Sequence, residues 1–411
     1  MPAPATAPLD RNIECDVAIV GGGYTGLHAA VHLASEGERT IVLEAGDIGQ
    51  GASGRNGGQI VPGLKHDPET LVRMGQRGEQ FVAFAGNCAE RTFEFIQANA
   101  LDCDASQTGW VQPAVTPKQF NAVRSRASQW RRYGGVDARI LDRREVREVT
   151  GTDAYIGAWI DPRGGRLQPL SYARELCRLA IAKGAPVHTR SPAESLTRKN
   201  ENWVLRSNGY EVTARKVILA TNGYRQPLLP DLYRSIFPSH SVQIATEPLD
   251  SVRRAGILPA GLPVSDSRRL LKYFRFDADG RFIIGGRGSF GESDSGRHFS
   301  GLRAFAQGMF PQLEGVRWEH GWAGKIALTL DHLPHIHNPE PGLYVALGYN
   351  GRGIALASQA GILLGRLCQG MPHAESPLPV TDIRKIPLHI FRRPALEAAV
   401  VWYRLLDQLG R

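Results

Sequence analysis

The sequence predicts an α/β fold (α+β overall) of two domains, in which a doubly wound parallel sheet is interleaved with an antiparallel sheet. Two segments carry the parallel part: both Cys15–Gly46 and Leu343–Leu367 read as strand, glycine-rich turn and helix. Between about 236 and 320 the chain changes to short β-like runs, which are typical of an antiparallel sheet. A length of 411 residues also suits two domains better than one.

The N-terminal unit has the pattern of a dinucleotide site. The apolar run 16–20 predicts a buried parallel strand, and Gly21, Gly23 and Gly26 follow it with G-x-G-x-x-G spacing. These glycines permit a tight turn, a close approach of a pyrophosphate and packing of the helix on the strand. The next strand ends at Glu44, a suitable separation for binding a ribose hydroxyl. The pattern therefore favours a bound dinucleotide over a glycine-rich turn without a ligand.

Composition excludes several classes of protein. Net charge is +9, but the excess arginines are scattered along the chain, so an anionic cofactor or substrate explains the charge better than nucleic acid does. The five cysteines are odd in number and show no C-x-x-C spacing, so we expect neither disulfides nor a metal site. We therefore expect a cytoplasmic location. We also expect no secretory signal and no integral membrane segment, since no apolar run approaches about 20 residues.

Several further elements are predicted in chain order. A glycine-dense loop over 45–59 is long enough to be functional, and helical spacing runs through 69–99. Short strands are predicted at 210–213 and 217–220. An apolar helix with basic neighbours is predicted over 391–409, either packed on the body or in peripheral contact with a membrane or another subunit. We expect a monomer or a homodimer.

Four segments together resemble the FAD-dependent D-amino-acid-oxidase-type oxidoreductases, the group that includes sarcosine oxidase and glycine oxidase. In order along the chain they are VAIVGGGYTGLHAAVHLASEG with VLEAG, GASGRNGGQ, VILATNGY, and WAGKIALTLDHLPHI followed by LYVALGYNGRGIALAS. Within this family, GASGRNGGQ is most similar to the L-pipecolate oxidase and gamma-glutamylputrescine oxidase branch.

The resemblance implies a Rossmann-like FAD-binding domain interleaved with an antiparallel-sheet substrate domain. The FAD-binding domain would comprise residues 15–85, 145–235 and 320–375. The substrate or cap domain would comprise residues 86–144 and 236–319, and residues 376–411 would form a C-terminal helical segment. The positions that the resemblance assigns to the cofactor are Gly21, Gly23, Tyr24, Thr25, Gly26, Glu44, Ala45, Gly51, Ser53, Arg55, Asn56, Gly57, Gly58, Gln59, Ala193, Ala220, Asn222, Gly348, Asn350, Gly351, Arg352, Gly353 and Ile354.

Two departures from the family pattern affect the expected chemistry. The cysteine that attaches the flavin in sarcosine oxidase corresponds to Gly324 here, so we predict non-covalent FAD. The lysine that activates oxygen in that enzyme corresponds to Ile283 or Ile284, so the use of O2 is an open question. A dehydrogenase that passes electrons to a quinone or a protein stays an alternative to an oxidase that makes H2O2.

The implied reaction is hydride transfer from the carbon next to nitrogen to the flavin N5, leaving an imine that water hydrolyses. The substrate would be an amine or amino acid, L-pipecolate-like or a gamma-glutamyl-polyamine. A carboxylate on it would require Arg or Lys with a Tyr hydroxyl, and the residues chosen for this are Lys325, Tyr273 and Arg275. The alternative is core packing or a solvated face for Tyr273 and a surface charge for Lys325. For Arg275 it is a surface position or an indirect role in supporting the residues that touch the ligand. Lys65, His66 and His332 are further candidates, more typical of surface positions. A flavin-binding protein without turnover is the third alternative.

Overall fold

The computed structural model describes residues 1–288 and 295–392, together with residues 394, 398 and 402. Its helices in these ranges are α1 Tyr24–Ser35, α2 Ala52–Arg55, α3 Pro68–Val72, α4 Gln76–Ala98, α5 Pro117–Gly134, α6 Arg143–Thr150, α7 Pro169–Ala182, α8 Pro230–Tyr233, α9 Ser251–Ala255, α10 Ser295–Met309 and α11 Gly353–Cys368. Its strands there are β1 Ile13–Val20, β2 Thr40–Leu43, β3 Gln59–Ile60, β4 Trp110–Ala114, β5 Arg139–Leu141, β6 Gly157–Asp161, β7 Gly165–Arg166, β8 Val187–His188, β9 Ser195–Lys199, β10 Asn202–Ser207, β11 Tyr210–Leu219, β12 Phe237–Pro248, β13 Val264–Ser265, β14 Lys272–Phe276, β15 Arg281–Arg287, β16 Trp318–Leu328, β17 His335–Glu340, β18 Leu343–Leu347 and β19 Val380–Thr381.

The first sheet brings distant parts of the chain side by side. Its strand order is β19-β17-β18-β11-β1-β2-β8, and β10 and β9 extend it from β11. The pairs β2–β1, β1–β11 and β11–β18 are parallel. Because the carboxyl ends of parallel strands meet at one edge, the turns after β1 and β18 lie together there.

Helices α1 and α11 pack against each other beside this sheet. The two helices approach so closely that a Cβ at Gly361 of α11 would overlap the Thr25 carbonyl oxygen of α1, so only glycine fits at this position. Both helices are almost entirely apolar on their buried faces, which explains the near-continuous apolar run 354–367 in the sequence. Two helix N-termini are thereby placed at the same edge of the sheet.

The second sheet is largely antiparallel and has the order β16-β12-β15-β14-β13-β4-β6-β5. Helix α10 packs on it, and the Phe274, Phe282 and Phe310 rings form a buried edge-to-face and tilted aromatic group. Strands β6 and β16 belong to this sheet, although they fall within or across segments predicted for the FAD-binding domain. The predicted domain boundaries stay a prediction.

Two predicted elements differ from the structure. The segment 69–99, whose apolar spacing predicts helix, forms two helices, α3 and α4. Gly75 separates them, because its φ of +72° is incompatible with a continuous α-helix. The strands predicted at 210–213 and 217–220 are one strand, β11. Most of the predicted C-terminal helix lies outside the described residues. Among the helices of the described residues, none combines the length and the apolar character that crossing a bilayer requires.

Asp16 links the start of β1 to its neighbours, and Asp16→Asn is expected to lower the free energy of unfolding by about 1 kcal/mol at pH 7. The Asp16 carboxylate accepts hydrogen bonds from the Arg39 backbone N–H at 2.9 Å and from the Arg39 and Arg215 guanidinium groups. The hydrogen bond from Arg39 lowers the pKa of Asp16 to about 2. The expected effect is modest because both arginine side chains are largely exposed.

This stabilisation has a defined pH dependence. It is fully present above the unfolded-state pKa of about 4 and is lost as pH falls through about 2. Urea unfolding at pH 7 and thermal unfolding between pH 2 and 5 measure it. Asp153→Asn is the control, since Asp153 is 70% exposed in its ion pair with Arg147. Equal effects of the two substitutions would contradict the prediction.

Candidate functional site

A cavity of about 1190 Å³ is lined by residues from both sheets. The predicted cofactor positions that line it are Gly21, Gly23, Tyr24, Thr25, Glu44, Ala45, Gly51, Ser53, Arg55, Asn56, Gly57, Gln59, Ala193, Ala220, Asn222, Asn350, Gly351, Arg352, Gly353 and Ile354. Gly26, Gly58 and Gly348 are not among the lining residues. The first and last segments are more than 300 residues apart in the chain, so the sheet topology is what brings them to one cavity.

The turn after β1 has the shape that a diphosphate requires. Gly21 has a φ of +111°, which L side chains rarely adopt. A Cβ at Gly26 would overlap the Gly21 carbonyl oxygen, so α1 can begin directly beneath the turn only with glycine there. The Ser53 hydroxyl accepts a hydrogen bond from the Tyr24 N–H at 3.1 Å, at the N-terminus of α1. Backbone donors and the helix dipole are thus directed at the cavity.

Glu44 is held rigidly at the end of β2. One carboxylate oxygen accepts from the Gly22 N–H at 2.7 Å and the other from the Gly46 N–H at 2.9 Å. Each oxygen retains capacity for a further donor, since a carboxylate offers about four acceptor sites. The carboxylate therefore lies in the cavity wall with room to accept ribose hydroxyls.

The glycine-dense loop is fixed by two amide side chains. Asn56 donates to the Ser53 carbonyl at 2.8 Å and accepts from the Gly58 N–H at 2.9 Å, which closes the turn after α2. Gln59 donates to the carbonyls of Val264 and Phe274 and accepts from the Ser265 hydroxyl. Asn56 thus shapes the loop, whereas Gln59 ties it to the second sheet.

The N-terminus of α11 is the second backbone cradle. Asn350 has a φ of +52°, and its side chain accepts from the Thr329 N–H at 3.0 Å. Gly351 has a φ of +85° with open space where a Cβ would lie. Residues held in such sparsely populated conformations concentrate at functional sites. Both residues line the cavity at the start of α11, where a helix N-terminus favours negative charge on a ligand.

Of the three residues predicted to bind the substrate, Tyr273 lines the cavity, whereas Lys325 and Arg275 do not. Its hydroxyl lies 2.5 Å from the Ser241 hydroxyl and accepts from the Gln243 amide at 2.6 Å. Burial raises the pKa of Tyr273 to about 12, so the phenol stays protonated at neutral pH. The Tyr273 ring packs so closely on the glycine-dense loop that a Cβ at Gly57 would lie only 2.6 Å from it.

Arg275 lies beneath the loop and is not among the residues that line the cavity. Its side chain is 3% exposed and donates to the Gly57 carbonyl at 2.7 Å and to the Phe276 carbonyl at 3.1 Å. Burial lowers the pKa of Arg275 to about 10, which still leaves it charged at neutral pH. In this position the guanidinium supports the backbone of the loop.

We expect Arg275→Met to destabilise the loop by about 2 kcal/mol, because the carbonyls of the half-buried residues Gly57 and Phe276 lose their charged donor. FAD should then dissociate more readily and the melting temperature should fall, while substrate affinity of the loaded fraction changes little. Thermal unfolding, FAD content and KM measure these effects. A variant that kept its FAD and stability but bound substrate poorly would instead support the predicted substrate role of Arg275.

Of the remaining candidates, two line the cavity and two are half-buried outside its lining. Lys325 is not a lining residue, and its ammonium group lies 5.7 Å from the centre of the Tyr224 ring. His66 contacts the Asp331 carbonyl, also without lining the cavity. Lys65 and His332 do line it. His332 has a φ of +56°, unusual for a residue with a Cβ.

Sequence reasoning missed other residues that line the cavity. Ser241 and Arg126 come from β12 and α5, and Gln112 comes from β4. None of them belongs to a recognisable local pattern. Lys65, by contrast, is among the candidates that the sequence offers, since it closely follows the glycine-dense loop.

These residues fit an extended dinucleotide such as FAD. The glycine turn after β1 and Glu44 would hold its diphosphate and ribose, and the N-terminus of α11 would receive its other end. Non-covalent attachment of FAD stays a prediction. The fold and the cavity together define a dinucleotide-binding protein of two interleaved sheets.

The comparisons with known proteins give the family. The DAO model, described as FAD dependent oxidoreductase, matches residues 16–367, and the chain belongs to this family. It is 32% identical to gamma-glutamylputrescine oxidoreductase of Escherichia coli (strain K12), over 98% of this chain and 95% of that protein. It is 30% identical to the probable oxidoreductase OrdL of Haemophilus influenzae, over 98% of this chain and 94% of that one.

A solved structure supports the fold. The crystal structure of glycine oxidase from Geobacillus kaustophilus superposes with a TM-score of 0.75 at 22% identity, covering 91% of this chain and all of the other. The predicted family and fold class are confirmed. The protein is an FAD-dependent oxidoreductase.

Proposed function

We propose that this protein oxidises a C–N bond of an amine and passes the electrons to O2, with a gamma-glutamyl-polyamine such as gamma-glutamylputrescine as the first candidate substrate. The observation that carries the proposal is the similarity to gamma-glutamylputrescine oxidoreductase along 98% of the chain. The cavity supports it, because the lining continues past the predicted cofactor positions to Ser241, Tyr273 and the loop that follows β13. An elongated substrate therefore has room beside the flavin.

FAD held by the glycine turn after β1, Glu44 and the N-terminus of α11 would supply the redox chemistry, which is two-electron oxidation of the C–N bond to an imine with O2 as the final acceptor and H2O2 as its product. The protein orients the amine and excludes water. Tyr273 and Ser241 offer protonated hydroxyls to the substrate, since burial keeps the phenol from ionising at neutral pH. The amine must arrive neutral, and the positive charges around the cavity favour its neutral form.

An L-pipecolate-like amino acid is the second candidate. It is favoured by the cationic lining of the cavity, where Lys65, Arg126 and Arg352 meet. A dehydrogenase that uses a quinone or a protein as electron acceptor remains the alternative mode of reoxidation, since the positions that correspond to the family's oxygen-activating lysine, Ile283 and Ile284, are buried and apolar.

Anaerobic mixing of the FAD-loaded protein with gamma-glutamylputrescine, putrescine, L-pipecolate, proline and sarcosine tests the proposal. Bleaching of the flavin by gamma-glutamylputrescine, followed by one H2O2 per imine on admission of air, is expected. Bleaching by L-pipecolate alone would select the second candidate. Bleaching without H2O2 and with fast reduction of an added dye would establish a dehydrogenase, and no bleaching by any amine would refute the proposal.

A further inference from the structure

Residues 1–9 cover the outer edge of the first sheet, where β8 is the end strand and is only two residues long. Ala7 pairs with His188 of β8 in a parallel bridge. The Thr6 and Thr189 hydroxyls lie 2.9 Å apart and form a hydrogen bond. We call residues 1–9 the N-terminal strap. It covers backbone groups that an edge strand would otherwise expose.

The N-terminal strap is anchored at both of its ends. The Leu9 side chain is 2% exposed and packs in the buried apolar cluster that also contains residues of β1 and β2. At the other end, Arg174 of α7 donates to the Met1 carbonyl at 2.5 Å. Because the core holds one end of the strap and a helix holds the other, the position of the strap against β8 is defined.

Ser191 connects the N-terminal strap to the wall of the cavity. Its side chain is fully buried, and its hydroxyl accepts from the Leu9 N–H at 2.8 Å and donates to the Thr189 carbonyl at 3.0 Å. The Ser191 backbone N–H donates to the Glu44 carbonyl at 2.8 Å. The side chain of Ser191 therefore holds the strap, while its backbone holds the end of β2 that carries Glu44.

The segment 188–193 lies between the N-terminal strap and the cavity. At its start, the His188 carbonyl accepts from the Glu44 N–H at 2.8 Å. At its end, Pro192 and Ala193 line the cavity, and Ala193 is one of the positions that the family resemblance assigns to the cofactor. A displacement of this segment would therefore move Ala193 and the backbone of Glu44 together.

We propose that the N-terminal strap, acting through Ser191, positions the segment 188–193 for the cofactor and thereby strengthens the binding of FAD. None of the nine strap residues, all of which the structure describes, lines the cavity, so the effect is indirect. It is also reciprocal by linkage, because whatever the docked strap adds to FAD binding, bound FAD adds to docking of the strap. The inference goes beyond the proposed function, since it concerns the cofactor and no substrate.

Deletion of residues 2–8 tests the strap directly. It removes the contacts of Thr6 and Ala7 with the segment 188–193 and keeps Leu9, which belongs to the core. The FAD Kd, measured by fluorescence titration of the apoprotein, should rise at least about fivefold, the lower end of ordinary couplings between two sites. The melting temperature of the apoprotein is recorded beside it. A lower melting temperature with an unchanged Kd would reduce the strap to a stabilising element and overturn the inference.

Ser191→Ala makes the same test in the full-length chain. It leaves the buried Leu9 N–H without its acceptor and should raise the FAD Kd roughly 2–10-fold, the equivalent of one hydrogen bond. Ser207→Ala is the matched control, because Ser207 is also fully buried in the first sheet, on β10, and does not line the cavity. Its Kd for FAD should be unchanged. Equal weakening by the two substitutions would contradict the proposed role of Ser191.

Hydrogen exchange of the Leu9 amide measures the reciprocal effect in the unaltered chain. Saturating FAD should slow this exchange by about the factor by which deletion of residues 2–8 raises the Kd, since the two effects are one coupling. The amides of β12, in the second sheet, give the change that FAD causes by stabilising the protein as a whole. Equal exchange of the Leu9 amide with and without FAD would overturn the inference.

Discussion

Gly26→Ala is expected to prevent FAD binding and to destabilise the protein by about 3 kcal/mol or more. The added Cβ would overlap the Gly21 carbonyl oxygen and lie 3.1 Å from Ile19. Neither neighbour is the flexible end of a side chain, so α1 must move away from β1, and the backbone donors at its N-terminus move with it. FAD content after purification and the melting temperature of the apoprotein measure the two effects.

Gly308→Ala is the matched control. Gly308 is in α10, is exposed, and has no atom within 4 Å of the position a Cβ would occupy. Alanine is preferred over glycine inside a helix, so this variant should be unchanged or more stable by up to about 1 kcal/mol. Normal FAD content in Gly26→Ala would show that the β1–α1 turn does not hold the cofactor.

Glu44→Ala should weaken FAD binding about 100-fold, because hydrogen bonds to a charged acceptor are each worth roughly 1.5–3 kcal/mol. The substitution removes the acceptor of the Gly22 and Gly46 N–H groups as well as the expected partner of the ribose. Fluorescence titration of the apoprotein with FAD measures the Kd. The fold should persist, since the side chain is at a cavity wall and not in the core.

Asp47→Ala controls for loss of an acid from the same loop. Its carboxylate is 72% exposed in a pair with Arg190, and the residue is not among those that line the cavity. The Kd for FAD should not change. If Glu44→Ala and Asp47→Ala bound FAD equally well, the assignment of Glu44 to the ribose would be wrong.

The elements that could be predicted best from the sequence are those that neighbouring residues in the chain determine. The strand, glycine turn and helix at 15–46 are confirmed because apolar runs and glycine spacing record the requirements of that turn directly. Strand β11 was predicted as two pieces, since Arg215 and Lys216 interrupt its apolar pattern. In the structure Arg215 reaches the Asp16 carboxylate and Lys216 the Cys368 carbonyl, so tertiary partners permit a continuous strand.

The substrate side of the cavity was beyond sequence reasoning for a physical reason. Arg126 is one of several arginines on an amphipathic helix, and only its contacts with Asp67 and Gln112 distinguish it. Arg275 and Tyr273 are two residues apart on β14, yet only Tyr273 lines the cavity. Assigning such roles requires knowing how β12, β14 and α5 are arranged around the cavity, which no local motif encodes.

The sheet order also has a consequence for biosynthesis. The cavity needs the turn after β1 and the N-terminus of α11, and β11 must be inserted between β1 and β18 to join them. At roughly 5–20 residues per second, about 17–67 s of translation separate Gly21 from Ile354. Strand β1 lacks its neighbour β11 until residue 219 has been translated, and β11 then lacks β18 until residue 347 has been translated. The nascent chain therefore cannot use FAD as a folding template until translation is nearly finished, and N-terminal fragments should depend on chaperones for solubility.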